Sequence, residues 1–142
     1  MHPKAIGDRT AAMVLGRLAG LYESVLIPFG ENTRYDLVVG EGGRFLKVQC
    51  KTGRLTSGAV RFKVCSMYYH HPNKWGKTMS TRPYTGEVDF FGVYCPDTDT
   101  VYLVPSADVE YCHNSVALRV TPPKNNQAKR VRWAADYEIT PG

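Results

Sequence analysis

The run Tyr35-Asp36-Leu37-Val38-Val39, the turn Gly40-Glu41-Gly42-Gly43 and the run Phe45-Leu46-Lys47-Val48-Gln49-Cys50-Lys51 constrain this chain more than any other stretch. Two β-rich segments joined by a glycine-rich turn read as an antiparallel hairpin. Side chains at i and i+2 of a strand share a face, about 6.5–7 Å apart, so Gln49 and Lys51 point the same way. The hairpin returns that face to the region of Asp36, at the head of the first strand. An acid, an amide oxygen and an ammonium gathered at a sheet edge suit a hard metal ion and a phosphate.

The rest of the chain reads as one domain over residues 1–142, long enough for a real core. Apolar residues make up 43% and charged residues 22%, the balance of an ordinary soluble protein. A net charge of +5 is compatible with an anionic partner without demanding one. No apolar run approaches the roughly 20 residues of a membrane span, and no signal peptide opens the chain, so a cytoplasmic protein without a membrane partner is expected. Cys50, Cys65, Cys95 and Cys112 contain no CxxC pair, which argues against a zinc site. They read as small buried residues in a reducing compartment.

Pro3 to Leu21 carries a helical stripe of Ile6, Met13, Val14, Leu15, Leu18 and Leu21, with Gly20 near its end. Val25 to Phe29 reads as a short buried strand ended by Pro28. Tyr35 to Val39 and Arg44 to Thr52 form the hairpin, and Gly53 to Gly58 is a turn. Next, Val60, Phe62 and Val64 alternate with Arg61, Lys63 and Cys65. Residues 67–86 lack clear periodicity and read as a long basic and aromatic loop. Val88 to Tyr94 and Thr100 to Val104 form a second hairpin, Ser106 to Glu110 starts a short helix, and Ser115 to Val120 is a strand. Thr121 to Arg132 is a basic connector, and Trp133 to Ile139 packs back on the domain. One helix and about seven strands make an α/β chain: a mixed β-sheet with a flanking N-terminal helix.

The Asp36…Gln49-Cys50-Lys51 pattern resembles the signature of the PD-(D/E)XK nuclease superfamily, with Tyr35 for its Pro and Gln49 for its second acid. It is most similar to the group I intron-encoded homing endonucleases of cyanobacterial type, where Gln also occurs in the second motif. The resemblance extends through Ile6-Gly7-Asp8-Arg9-Thr10-Ala11-Ala12, through Gly86-Glu87-Val88-Asp89-Phe90-Phe91-Gly92-Val93-Tyr94-Cys95 and through Val101-Tyr102-Leu103-Val104-Pro105. It implies a restriction-endonuclease-like core and site-specific, Mg2+- or Mn2+-dependent hydrolysis of double-stranded DNA. It also implies a homo-oligomer, dimer or tetramer, in which two sites act on two strands. Asp36 would be the charged metal ligand, with the Gln49 side-chain oxygen and the Cys50 carbonyl as weaker ones. Lys51 would meet the scissile phosphate or help to orient or deprotonate the attacking water. Lys47 shares their alternation set but lies outside the motif.

The family places a Glu on the first helix, four residues after a Gly like Gly7; here that position is Ala11. A methyl group neither binds metal nor orients water. Two readings stay open, a form engineered to be inactive for trapping a DNA complex and a natural variant, and the intact remainder of the motif favours the first. Misalignment is a third reading, but neither Glu23 nor Glu31 lies in the helical stripe.

For DNA contact, Arg61 and Lys63 share a strand face, and a β-ribbon fits the major groove, where Arg and Lys read guanine. The loop adds Tyr68, Tyr69, His70, His71, Lys74, Trp75, Lys77, Arg82 and Tyr84, cations interleaved with aromatics that suit phosphates and bases. Lys124, Lys129, Arg130 and Arg132 form a second basic cluster for phosphates. Two alternatives to the homing reading remain: a Holliday-junction resolvase or restriction-type nuclease, which usually carries Glu in the second motif, and a DNA-binding module without catalysis, consistent with Ala11.

Overall fold

Helix α1 spans Pro3–Ala19. The His2 ring caps it, Nδ1 accepting from the Lys4 backbone N–H at 3.2 Å, and Pro3 occupies the first turn, where a missing N–H does no harm. The Gly20 N–H closes the helix on the Arg17 carbonyl at 3.2 Å. Thr10, Val14 and Leu18, one turn apart, form its buried stripe. Leu21, expected in that stripe, lies past the helix end and is exposed.

This computed structural model of the chain describes residues 2–30, 32–69, 72, 74–76, 79–124 and 131–140, with the backbone alone at 67–69 and 79. After α1 come β1 (Ser24–Leu26), β2 (Leu37–Glu41) and β3 (Arg44–Thr52). Strands β2 and β3 form the expected hairpin, in register from Leu37 opposite Val48 to Glu41 opposite Arg44. Gly42 and Gly43 make its tip with φ of 58° and 80°, the left-handed backbone that a two-residue hairpin turn requires and only glycine adopts freely. Next are β4 (Arg54–Thr56), β5 (Ala59–Lys63), β6 (Cys65–Tyr69) and β7 (Met79–Pro83). The chain ends with β8 (Phe90–Cys95), β9 (Thr100–Pro105), β10 (Ser115–Arg119) and β11 (Glu138–Ile139), with single 3-10 turns at Ser106–Asp108 and Ala134–Asp136.

Six strands make the central sheet in the order β1-β2-β3-β8-β9-β11. It is mixed: β3 and β8 run parallel and their outer neighbours antiparallel. On one face Leu37, Val39, Val48, Tyr94 and Val101 pack with Val14 and Leu18 of α1. On the other, Phe91, Val93 and Val104 pack with Val60 and Phe62 of β5 and with Val116 and Leu118 of β10. Strands β10, β5 and β4 form a separate three-stranded sheet covering that second face. Gly92 lets α1 approach closely: a Cβ there would lie 2.6 Å from Val14 Cγ1 and 3.2 Å from Val48 Cγ1.

Three expectations need correction. The span 67–86 is not all loop, because β6 and β7 pair antiparallel within it. A two-stranded ribbon that joins neither larger sheet needs no core-facing alternation, so periodicity did not reveal it. Gly53 to Gly58 holds the short strand β4, all three residues exposed, rather than a turn alone. The run from Val25 to Phe29 is not a buried strand: β1 stops at Leu26 on the sheet edge, and Ile27 and Phe29 stand in solvent. Pro28 has no N–H to extend the ladder. All four cysteines are free, Cys65 and Cys95 buried and Cys50 and Cys112 half-buried. Among the described residues no helix is long and apolar enough to cross a membrane.

Candidate active site

The site follows from the register of β2 on β3. Leu37 and Val48 are opposite one another and both pack toward α1. One residue back on β2 and one forward on β3, Asp36 and Gln49 fall on the other face, and Lys51 follows Gln49 on it. The β3 backbone pins the acid from both sides of Gln49. The Asp36 N–H donates to the Val48 carbonyl at 2.9 Å, and Asp36 Oδ2 accepts from the Cys50 N–H at 2.9 Å. Asp36 keeps an exposed edge, yet contact with β3 strips part of its hydration. Burial raises its carboxyl above the ordinary value, against the opposing pull of the Cys50 amide and the Lys51 charge.

Lys51 is half-buried, and Nζ donates to the Cys65 carbonyl and to Tyr84 Oη, each at 3.3 Å. Burial lowers its ammonium below the ordinary lysine value; Cys65 and Asp36 act against that shift, and Arg34 acts with it. Burial also pushes the Cys50 thiol up, which keeps it a neutral thiol.

The donor set fits a divalent ion of the hard class. Asp36 offers a carboxylate, Gln49 an amide oxygen and Cys50 a carbonyl, which also accepts from Gln49 Nε2 at 3.4 Å. Among the described residues no cluster of three or more His, Cys, Asp or Glu exists. An ion held here would therefore rest on one negative charge and neutral oxygens, retaining several waters. Ala11 lies on the helix side of the sheet, half-buried beside the stripe of α1. Its helical turn is tied to the end of β3 by the Thr10 and Thr52 hydroxyls, 2.6 Å apart.

The residues expected to face DNA separate into groups. Arg61 and Lys63 are exposed on β5, and the register sets Arg54 of β4 directly opposite Arg61. Arg54 was missed because its segment read as a turn. Lys74 and Trp75 are exposed, the ammonium 5.0 Å from the indole centroid. Arg82 is exposed but paired with Glu87 at 2.9 Å. Arg132 is half-buried, its guanidinium donating to the Asp108 carbonyl at 3.0 and 3.2 Å. Tyr69 is placed by its backbone alone, opposite Met79, and His70, His71, Lys77, Lys129 and Arg130 lie outside the described residues. Tyr84, expected in an open loop, is 6% exposed and part of the core.

Sequence reasoning also missed Arg34. Its Nε bonds Glu87 at 2.7 Å, its Nη1 the Ser66 hydroxyl at 2.5 Å, and its Nη2 the Arg82 and Pro83 carbonyls at 3.2 and 2.8 Å. Only its place two residues before Asp36 hinted at a role.

The profile of PD-(D/E)XK endonucleases matches residues 1–140. No curated protein matches the chain. Among solved structures, the chain is similar to a bacterial homing endonuclease, I-Ssp6803I, with a TM-score of 0.75 and 23% identity over 97% of this chain and 89% of that one. At that identity the likeness speaks for the fold. With the family profile spanning nearly its whole length, the chain belongs to the PD-(D/E)XK endonuclease family.

Proposed function

We propose that this protein is a site-specific double-stranded DNA endonuclease of homing type that hydrolyses phosphodiesters with Mg2+ or Mn2+, and that Ala11 leaves it catalytically impaired. One observation carries the reading: a part-desolvated carboxylate and a part-desolvated ammonium, Asp36 and Lys51, share one sheet face with two neutral oxygens from Gln49 and Cys50. Water attacks phosphorus, the P–O ester bond breaks, and a phosphate monoester and a free hydroxyl result. Lys51 meets the charge that develops on the phosphoryl oxygens. Asp36, fixed by the Cys50 amide, orients the attacking side of the site. A bound divalent ion would supply Lewis acidity and lower the pKa of its water, with Asp36, Gln49 and the Cys50 carbonyl as its holders.

Exposed Arg54, Arg61 and Lys63 on one sheet face, with Lys74 and Arg82 on and beside the ribbon, support duplex DNA as the substrate. A homo-oligomer is supported by the large apolar side chains left open at the β1 edge, Leu26, Ile27 and Phe29, and by Phe45 on β3. The missing acid at position 11 favours a second reading, a DNA-binding protein without catalysis. The test is Ala11→Glu, assayed with Mg2+ on a pool of duplex sites and on four-way junctions. Cutting at one preferred duplex site supports the homing reading, since one restored catalytic group commonly returns a factor of about 100 or more. Cutting of junctions alone would move the assignment to a resolvase. Binding without cutting on any substrate would leave the non-catalytic reading.

A further inference from the structure

We infer that Tyr84 is a positioning residue for Lys51: its phenol and ring form one wall of a slot, closed by the Cys65 carbonyl and braced by Arg34, that holds the ammonium on the Asp36 face. The inference rests on the nuclease reading for its purpose but on geometry for its substance. Lys51 Nζ lies 3.3 Å from Tyr84 Oη, 3.3 Å from the Cys65 carbonyl and 4.8 Å from the Tyr84 ring centroid. An ammonium has three N–H donors. Two are engaged by the slot, which fixes the lysine rotamer and leaves one for a phosphate oxygen.

The wall is rigid. The Tyr84 ring packs edge-on against Phe91 with centroids 5.8 Å apart and is almost wholly buried. The Arg34 guanidinium lies 4.0 Å from the same ring and holds the Pro83 carbonyl, the residue before Tyr84. Because Arg34 stands two residues before Asp36, it locks the segment carrying the acid to the segment carrying the wall. A phenylalanine would keep the packing against Phe91 and the ring beside Lys51; only the hydroxyl accepts a hydrogen bond from its ammonium. The slot is also the base of the ribbon, where Cys65 and Pro83 pair as the first rung of β6 and β7. The charged and titratable groups around the ammonium are Asp36, Arg34, Tyr84 and the Cys65 thiol.

The experiment follows the order of the Lys51 side chain by relaxation NMR of its ε-carbon in lysine-labelled protein, with Lys51→Met to assign the signal. Tyr84→Phe removes one of the two hydrogen bonds on the ammonium and keeps the ring, so the Lys51 side chain becomes more mobile than in the parent; Tyr84→Ala removes the whole wall and loosens it further. In the Ala11→Glu background, Tyr84→Phe lowers kcat about tenfold, the weight of one hydrogen bond to a charged group, with KM unchanged. Tyr84→Phe is near-isosteric and carries the test even where Tyr84→Ala does not fold. Unchanged Lys51 order in Tyr84→Phe overturns the inference, while cutting by Ala11→Glu alone still upholds the nuclease reading. A Lys51 side chain that loosens as expected in a protein whose Ala11→Glu form cuts nothing sustains the slot and removes the nuclease reading.

Discussion

Replacing Gly92 by alanine tests whether close approach of α1 to the sheet is a structural requirement. The new methyl would lie 2.6 Å from Val14 Cγ1 and 3.2 Å from Val48 Cγ1. Both valines are fully buried, so neither can turn out into solvent. Overpacking of this kind costs about 1–3 kcal/mol, a large share of the roughly 5–15 kcal/mol that holds a domain folded. With an m-value of about 1–3 kcal/mol per molar urea, the unfolding midpoint should drop by on the order of 1 M. Val14→Ala alone removes two buried methyl groups and should cost about 1–3 kcal/mol. It also vacates the space that the methyl introduced by Gly92→Ala needs. The double variant should therefore be more stable than the sum of the single effects by about 1 kcal/mol or more. Urea unfolding followed by circular dichroism on the four proteins measures all of these terms. A Gly92→Ala midpoint equal to the parent's, or strict additivity with Val14→Ala, would refute the close packing and with it the account of how α1 is seated.

Asp36→Asn should stabilise the protein at pH 7. Burial raises the carboxyl above its ordinary 3.8, so the folded form holds its proton more firmly and stability falls as pH rises through that window; the gain from Asn should vanish below the ordinary value, and a less stable variant at pH 7 would contradict the sign. In the Ala11→Glu background the same change should abolish metal-dependent cutting while DNA affinity holds. Gln49→Glu adds a second negative charge beside Asp36 and should tighten Mn2+ binding in titration calorimetry; unchanged affinity would count against Gln49 as a ligand. Arg61→Ala with Lys63→Ala should reduce the slope of log K against log salt by about 0.9 for each phosphate no longer neutralised, and an identical slope would place DNA elsewhere.

The hairpin was legible because its information is local. Gly42 and Gly43 dictate a two-residue turn, and once Leu37 and Val48 must both face a core, Asp36 and Gln49 have no choice of side. The slot around Lys51 was not legible. Cys65 and Tyr84 come from 14 and 33 residues downstream, and only the tertiary path of the ribbon brings them there. Tyr84 sits among basic and aromatic neighbours that read as a recognition loop, so its burial left no periodic mark. The limits of β1 escaped for the opposite reason: an apolar run looks buried in sequence whether or not a second layer covers it. Arg132 had the composition of a phosphate contact, yet its guanidinium bonds the Asp108 carbonyl.

The parallel pairing of β3 with β8 has a kinetic consequence. Each partner belongs to a hairpin that closes over a few residues, which takes microseconds. Joining the two hairpins side by side brings together positions such as Lys47 and Asp89, 42 residues apart, whose backbone N–H and carboxylate meet at 2.8 Å. The entropy of closing such a loop must be met before any contact across it returns free energy. Contact-order reasoning predicts that the seam between β3 and β8 limits folding, and that the face carrying Asp36, Gln49 and Lys51 assembles late. During synthesis the segment that carries Asp36, Gln49 and Lys51 emerges well before β8, so the nascent chain holds its acid and its amine before it holds the sheet that aligns them.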